Sequence, residues 1–180
     1  MPEQKRRLVE RITDPTYISR LGETSLDELR MMRDECREGE NELSFERRLC
    51  QARIDILSAE LERRSGNTSA GLLEQLPEIL ADEGARSSDA PLPARAPDFS
   101  VPRNADVPRR RVEEIVGEQT LARLGSISVD EIRTTIASLA EHESAVSARR
   151  KKVHEVLDAV QAEIVRRYVS GEADPTTALG

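Results

Sequence analysis

The 180 residues contain no tryptophan, and the aromatics are only Tyr17, Phe45, Phe99 and Tyr168. Aromatic side chains supply much of the buried area of a thick globular core, so their scarcity excludes a large one. No apolar run reaches membrane-spanning length and no signal-peptide pattern is present. A cytoplasmic protein without a membrane segment is therefore expected. Lysine is scarce, with only Lys5, Lys151 and Lys152 beside many arginines, and net charge is -7. Direct DNA binding is not expected, because nonspecific binding needs cations to neutralise phosphates. The two cysteines, Cys36 and Cys50, stand fourteen residues apart. On one helix that is roughly 21 Å, too far for a disulfide, and both read as small buried hydrophobes. There is no phosphate-cradling glycine loop, nucleophile elbow or zinc signature. His142 and His154 lack Cys or His neighbours at metal-ligand spacing. Neither catalysis nor a metal site is expected.

What is present is 34% charged and 37% apolar residues, a balance that suits long helices sharing a narrow seam. The chain also repeats itself at a shift of 103 residues. Leu21-Gly22 matches Leu124-Gly125, and Leu26-Asp27-Glu28-Leu29-Arg30 matches Val129-Asp130-Glu131-Ile132-Arg133. Glu60, Arg63 and Arg64 match Glu163, Arg166 and Arg167, and no gap is needed from Tyr17 to Arg64. Register held this long marks a duplication.

Each copy carries a helix start. Ser25 with Glu28, and Ser128 with Glu131, have capping-box spacing, in which serine and glutamate satisfy orphan backbone donors. A shorter helical piece is expected before each, opened near Pro15 or Pro108 and closed by Gly22 or Gly125. The predicted fold is all-α. Two long helices, near 25–64 and 128–169, form an antiparallel coiled-coil hairpin, each preceded by a short helix. Residues 1–64 form the first repeat and 108–170 the second. Between them, 65–107 is rich in Ser, Pro, Ala and Gly and reads as a long, largely disordered linker. It holds one amphipathic island, Leu72 to Leu80, and either tethers the repeats or folds onto a partner. Residues 171–180 are a tail.

Heptad letters place Leu29, Cys36, Leu43, Cys50 and Leu57 at d in the first helix. In the second, d is Ile132, Leu139, Val146, Val153 and Val160. The a positions are mostly apolar, but Glu40 and Arg47 interrupt the first helix and Glu143 and Arg150 the second. Burying charge in a seam is costly unless the charges pair or bind something. Adjoining residues extend the pattern to Glu40, Ser44, Arg47, Gln51 and Asp55, and to Glu143, Ser147, Arg150, His154 and Asp158. At 100° per residue each set spans about 80°, a polar stripe along one edge of the apolar seam.

The donors and acceptors suit a guanine nucleotide. An arginine fork meets guanine O6 and N7, a carboxylate accepts from N1-H and the 2-amino group, and arginine and serine take phosphate oxygens. Two equal stripes imply a pseudo-twofold axis. In an antiparallel pair that axis can pass through an open face and admit a twofold-symmetric ligand; in a parallel pair it runs down the filled seam.

The pattern E-x3-S-x2-R-x3-Q-x3-D, twice on coiled-coil helices, resembles the RsiG anti-sigma factors of actinobacteria. The first motif matches at all five letters; the second matches at Glu143, Ser147, Arg150 and Asp158 and carries His154 in place of glutamine. The resemblance covers both long helices. It implies a ligand, cyclic di-GMP bound as a stacked dimer across the two helices, contacted by the ten residues named. It implies a partner, a WhiG-type sigma factor held inactive by the nucleotide-bound protein, and so repression of developmental, sporulation genes.

Other readings stand beside this one. Glu40 can face Arg150 while Arg47 faces Glu143, crossed pairs that would set register in a structural coiled-coil adaptor with no small ligand. They leave Ser44, Ser147, Asp55 and Asp158 unexplained. A DNA-associated regulator is a third reading, weakened by the acidic balance. Arg149 to Lys152 reads as a solvated basic face or as a lure for an anionic ligand. Tyr17, Phe45 and Tyr168 read as packing or partner contacts rather than stacking platforms.

Overall fold

The structure is a computed structural model, and it describes residues 3–66, 77, 101–102 and 111–172. Helix α1 spans Glu3–Ile12, and a 3-10 turn at Leu21–Glu23 precedes the long helix α2, Leu26–Arg64. Two short helices follow, α3 at Arg111–Ile115 and α4 at Glu118–Ala122. A second 3-10 turn, Leu124–Ser126, leads into the long helix α5, Val129–Val169. The described residues contain no strand. The expected linker, its amphipathic island and the tail lie outside the described residues, apart from Ser65, Gly66, Pro77, Val101, Pro102, Gly171 and Glu172.

The long helices start where their caps direct. Ser25 Oγ accepts from Glu28 N at 3.3 Å, while Glu28 Oε2 accepts from Ser25 N at 3.0 Å, the reciprocal box expected. At α5, Ser128 Oγ accepts from Glu131 N at 3.1 Å. Acidic residues fill both first turns and arginines both last turns, which favours the helix dipole at each end.

The chain divides into two compact units. The first comprises Met1–Ser44, Val101–Asp106 and Ser147–Gly180; the second comprises Phe45–Ser100 and Val107–Val146. In the first, Leu29 of α2 packs with Val160 and Ile164 of α5, flanked by Ile18, Leu21, Leu26, Met32 and Tyr168. The Tyr168 phenol oxygen accepts from Arg30 at 2.7 Å. An early α2 residue thus meets late α5 residues, so the helices run antiparallel. In the second unit Cys50 and Leu57 pack with Leu139 and Ile132, again antiparallel, and Val112, Val116 and Leu124 join them.

All ten d residues are buried, from none to 4% exposed. The a positions divide differently. Leu157 and Ile164 are buried, whereas the other ten, the five charged ones (Arg33, Glu40, Arg47, Glu143 and Arg150) included, are only half-buried. The a row therefore lies along the rim of the seam, where a charge keeps part of its hydration and costs less than full burial would. Cys36 and Cys50 are unbridged and buried. Burial pushes each thiol up to about 11, so both stay protonated and inert at neutral pH.

The short pieces differ from expectation in position. The first helix lies upstream of Pro15, at Glu3–Ile12, and residues 13–20 are turns and a bend. Asp14 explains the change: its Oδ1 accepts from Thr16 N at 2.8 Å and from Thr16 Oγ1 at 2.6 Å, which closes a side-chain turn in place of a helical one. The second piece is two helices separated at Gly117. The duplication in fact reaches further back than Tyr17, because Val9-Glu10-x-Ile12 of α1 matches Val112-Glu113-x-Ile115 of α3.

Helix α1 rests on α2 at Gly39, where a Cβ would stand 3.0 Å from Ile12 Cδ1 and 3.7 Å from Val9 Cγ2. Ile12 is fully buried there. Arg11 reaches Glu35 at 2.7 Å, and Tyr17 donates to the same carboxylate at 2.8 Å. Burial and that bond push the Tyr17 phenol above its ordinary value.

The repeated Glu-x2-Arg-Arg ends are clasps. Arg64 donates to Leu124 O at 2.6 Å and Ile127 O at 2.5 Å, and is held by Glu60 at 2.6 Å. Arg167 donates to Leu21 O at 2.9 Å and Gly22 O at 3.2 Å, held by Glu163 at 2.9 Å. Each long helix thereby fastens the turn that precedes the other, satisfying carbonyls a short 3-10 turn leaves open.

Bonds from Arg63 and then Arg64 hold the Glu60 carboxyl down at about 2, below its ordinary 4.5. Arg166 and Arg167 do the same for Glu163. A depressed carboxylate adds stability above its unfolded value that is lost as pH falls through the folded one. Acid titration by circular dichroism should therefore show destabilisation between about pH 5 and pH 2. Glu60→Gln should flatten that slope and lower stability at pH 7.

Candidate functional site

Both polar stripes run from half-buried a residues to an exposed aspartate. On α2, Ser44 is buried, Glu40, Arg47 and Gln51 are half-buried, and Asp55 is exposed. On α5, Glu143, Ser147, Arg150 and His154 are half-buried and Asp158 is exposed. Heptad geometry accounts for the a residues at the rim and for each aspartate at the outer edge of its set, but not for Ser44, which is buried although it lies farther from the d row than Glu40.

The unit boundary passes through both motifs, after Ser44 and after Val146. Glu40, Ser44, Ser147, Arg150, His154 and Asp158 belong to the first unit. Arg47, Gln51, Asp55 and Glu143 belong to the second. Each unit thus mixes the glutamate of one motif with the arginine of the other.

In the first unit Ser44 Oγ donates to Glu40 Oε1 at 2.7 Å. Arg150 Nε stands 4.0 Å from the same oxygen, and its Nη1 lies 3.5 Å from Ser44 Oγ. His154 Nε2 approaches Glu40 Oε1 to 3.2 Å without an aligned hydrogen bond. In the second unit Arg47 Nη1 lies 4.0 Å from Glu143 Oε1. The crossed pairs anticipated from the sequence are therefore formed, both at long range. For Gln51, Asp55, Ser147 and Asp158 it is helix position that assigns them to the sets.

A guanidinium–carboxylate pair at 4.0 Å falls short of the 2.7–2.9 Å of a charge-assisted hydrogen bond. Arg47 Nε is sheltered from water and makes no hydrogen bond. A buried donor left without an acceptor costs about 1–3 kcal/mol. Arg47 is therefore not fully satisfied, and an acceptor-rich anion would suit it.

Two contacts escaped the sequence reading. His142 Nε2 lies 2.8 Å from Glu46 Oε1 in the second unit, and His154 meets Glu40 in the first. His154 is expected from the sequence as a nucleotide contact and His142 has no expected role, yet numbers summing near 190, as in the crossed Glu–Arg pairs, signal both contacts. In the basic run, Arg149, Lys151 and Lys152 are exposed while Arg150 turns to the seam. Among the described residues no three His, Cys, Asp or Glu are grouped to hold a metal ion, and no helix is long and apolar enough to cross a membrane.

The described residues form an antiparallel pair of long helices with duplicated polar sets on its rim. A profile described as RsiG-like matches residues 15–80 and 118–179. The chain belongs to the RsiG-like family, whose anti-sigma role implies a sigma factor as partner. No curated protein matches it.

The crossed pairing has a direct test. Arg47→Glu should lower stability in urea, and adding Glu143→Arg should recover about 0.5–1 kcal/mol of the loss, as measured by a double-mutant cycle.

Proposed function

We propose that this chain binds cyclic di-GMP as a stacked dimer, and that the bound form sequesters a WhiG-type sigma factor, keeping developmental sporulation genes silent. The observation that carries the reading is the loosely closed charge at the rim. Glu40 with Arg150, and Glu143 with Arg47, stand at 4.0 Å, and Arg47 Nε is buried without an acceptor. An arginine so placed is costly for an unliganded coiled coil and useful to a guanine nucleotide.

In this reading each unit offers one carboxylate for the guanine N1-H and 2-amino group and one arginine fork for O6 and N7 or a phosphate oxygen. The serines and outer aspartates extend the contacts. A ligand with its own twofold axis presents the same groups twice, and the duplicated motifs supply the same residue types twice. Arg149, Lys151 and Lys152 raise the local concentration of an anion around an acidic protein. Nucleotide neutralises the rim charges, and the helix pair it stiffens is the form that holds the sigma factor. Linkage requires that each ligand strengthen the other's binding.

The crossed pairs alone favour a second reading, an adaptor whose charges only set register. Thermal melting separates the two. Cyclic di-GMP should raise the midpoint with concentration, by about 2.7 kcal/mol of stabilisation at a hundredfold excess over Kd, and GMP should not match it. Arg47→Ala or Asp55→Ala should remove the shift while helicity by circular dichroism stays near the parent's. An Arg47→Ala chain that loses its helices at every nucleotide concentration would favour the adaptor.

A further inference from the structure

Arg53 lies in the second unit, on a side of α2 away from the polar set. Helix geometry puts it about 120° round the axis from Arg47 and about 160° from Gln51 and Asp55. Its match in the duplication is Val156, which is buried. An arginine therefore stands where the other long helix carries a buried aliphatic residue. Arg53 is half-buried, and its Nη1 is sheltered from water and makes no hydrogen bond. A buried donor without an acceptor costs stability, and more so when it carries charge.

The carboxylates along the same edge of α2 are already engaged. Glu46, one heptad before Arg53, is held by His142 at 2.8 Å. Glu60, one heptad after it, holds Arg63 at 2.7 Å and Arg64 at 2.6 Å. On α3, Glu114 pairs with Arg111 at 3.1 Å. Cys50, one turn before Arg53, is kept protonated by burial and offers no counter-charge. The flanks are apolar. Leu49 and Ile56, four residues before Arg53 and three after, share its side of α2 and pack against the cluster that holds Val112 and Val116. A guanidinium fork bordered by apolar side chains has the chemistry of a binding hot spot: strong for one carboxylate, and costly without it.

We propose that Arg53, bordered by Leu49 and Ile56, is the docking point for an acidic side chain of the sigma factor. The inference rests on the sigma-factor partnership and not on the nucleotide, because the polar set occupies another side of α2. The partner's carboxylate accepts from the guanidinium fork, and apolar side chains beside it cover Leu49 and Ile56. A phosphate, bare of apolar groups, would leave those two uncovered. Val156 carries no charge, so the duplication offers this contact once. Arg53 is thus held at a cost to the free chain that the partner's carboxylate offsets.

The test is Arg53→Val in the full chain, which installs the residue of the matched position. Relief of the unpaired charge should raise the melting midpoint of the free chain by about 2–4 °C. The same substitution should weaken binding of a WhiG-type sigma factor by about ten- to hundredfold, measured by calorimetry with cyclic di-GMP present. Arg53→Lys, which keeps the charge but loses the fork, should fall between parent and Arg53→Val. Affinity for cyclic di-GMP without sigma factor should stay within about twofold of the parent's. A lower midpoint for Arg53→Val would make Arg53 structural and overturn the proposal. A nucleotide affinity that falls in step with the sigma-factor affinity would overturn it too, by placing Arg53 in the nucleotide site. If the parent binds the sigma factor and Arg53→Val binds it equally well, the docking point falls alone. If the parent binds no sigma factor, the sequestration reading falls with it.

Discussion

The antiparallel register of α2 against α5 carries every other feature of this protein. It makes paired residue numbers sum near 190, which brings Glu40 to Arg150 and Arg47 to Glu143. A one-residue slip would move the apolar d rows off each other and separate opposite charges together. Burial at the ten d positions therefore fixes where the charges meet, and the charges in turn discriminate against neighbouring registers. Because the a row lies on the rim, its five charges are carried without the full cost of burial.

The clasps at the helix ends serve the same register. Arg64 and Arg167 each bond two carbonyls of the turn that precedes the opposite helix. Such bonds require each long helix to end level with the other's start. The duplication thus encodes apolar seam, rim charge and terminal clasp at matched positions, and all three agree on one alignment. That consistency is what specifies a single structure from a seam with few large side chains.

Much of this was legible in the sequence because helix periodicity and duplication are local signals. The d rows, the caps, the inert cysteines and the crossed Glu–Arg pairs follow from spacing alone. The first short helix did not. Pro15 after Asp14 resembles a helix start, but the Asp14 carboxylate closes a turn on Thr16, and the helix lies upstream, where Val9, Glu10 and Ile12 already echoed Val112, Glu113 and Ile115. The roles of Arg64 and Arg167 were hidden for another reason: their acceptors are backbone carbonyls, which no sequence pattern displays. The histidine contacts cross between helices and become visible only once register is known.

Membership of the RsiG-like family gives the chain a sigma factor as its class of partner, and the proposal adds a small ligand at the rim that controls that partnership. The central claim is coupling: nucleotide on the rim and sigma factor on the helix pair favour the same ordered state. Calorimetric titration with cyclic di-GMP, run with and without a WhiG-type sigma factor, measures it directly. The expected result is two nucleotides per chain, bound more tightly when the sigma factor is present. Equal affinity in both titrations, or no heat of binding in either, would contradict it.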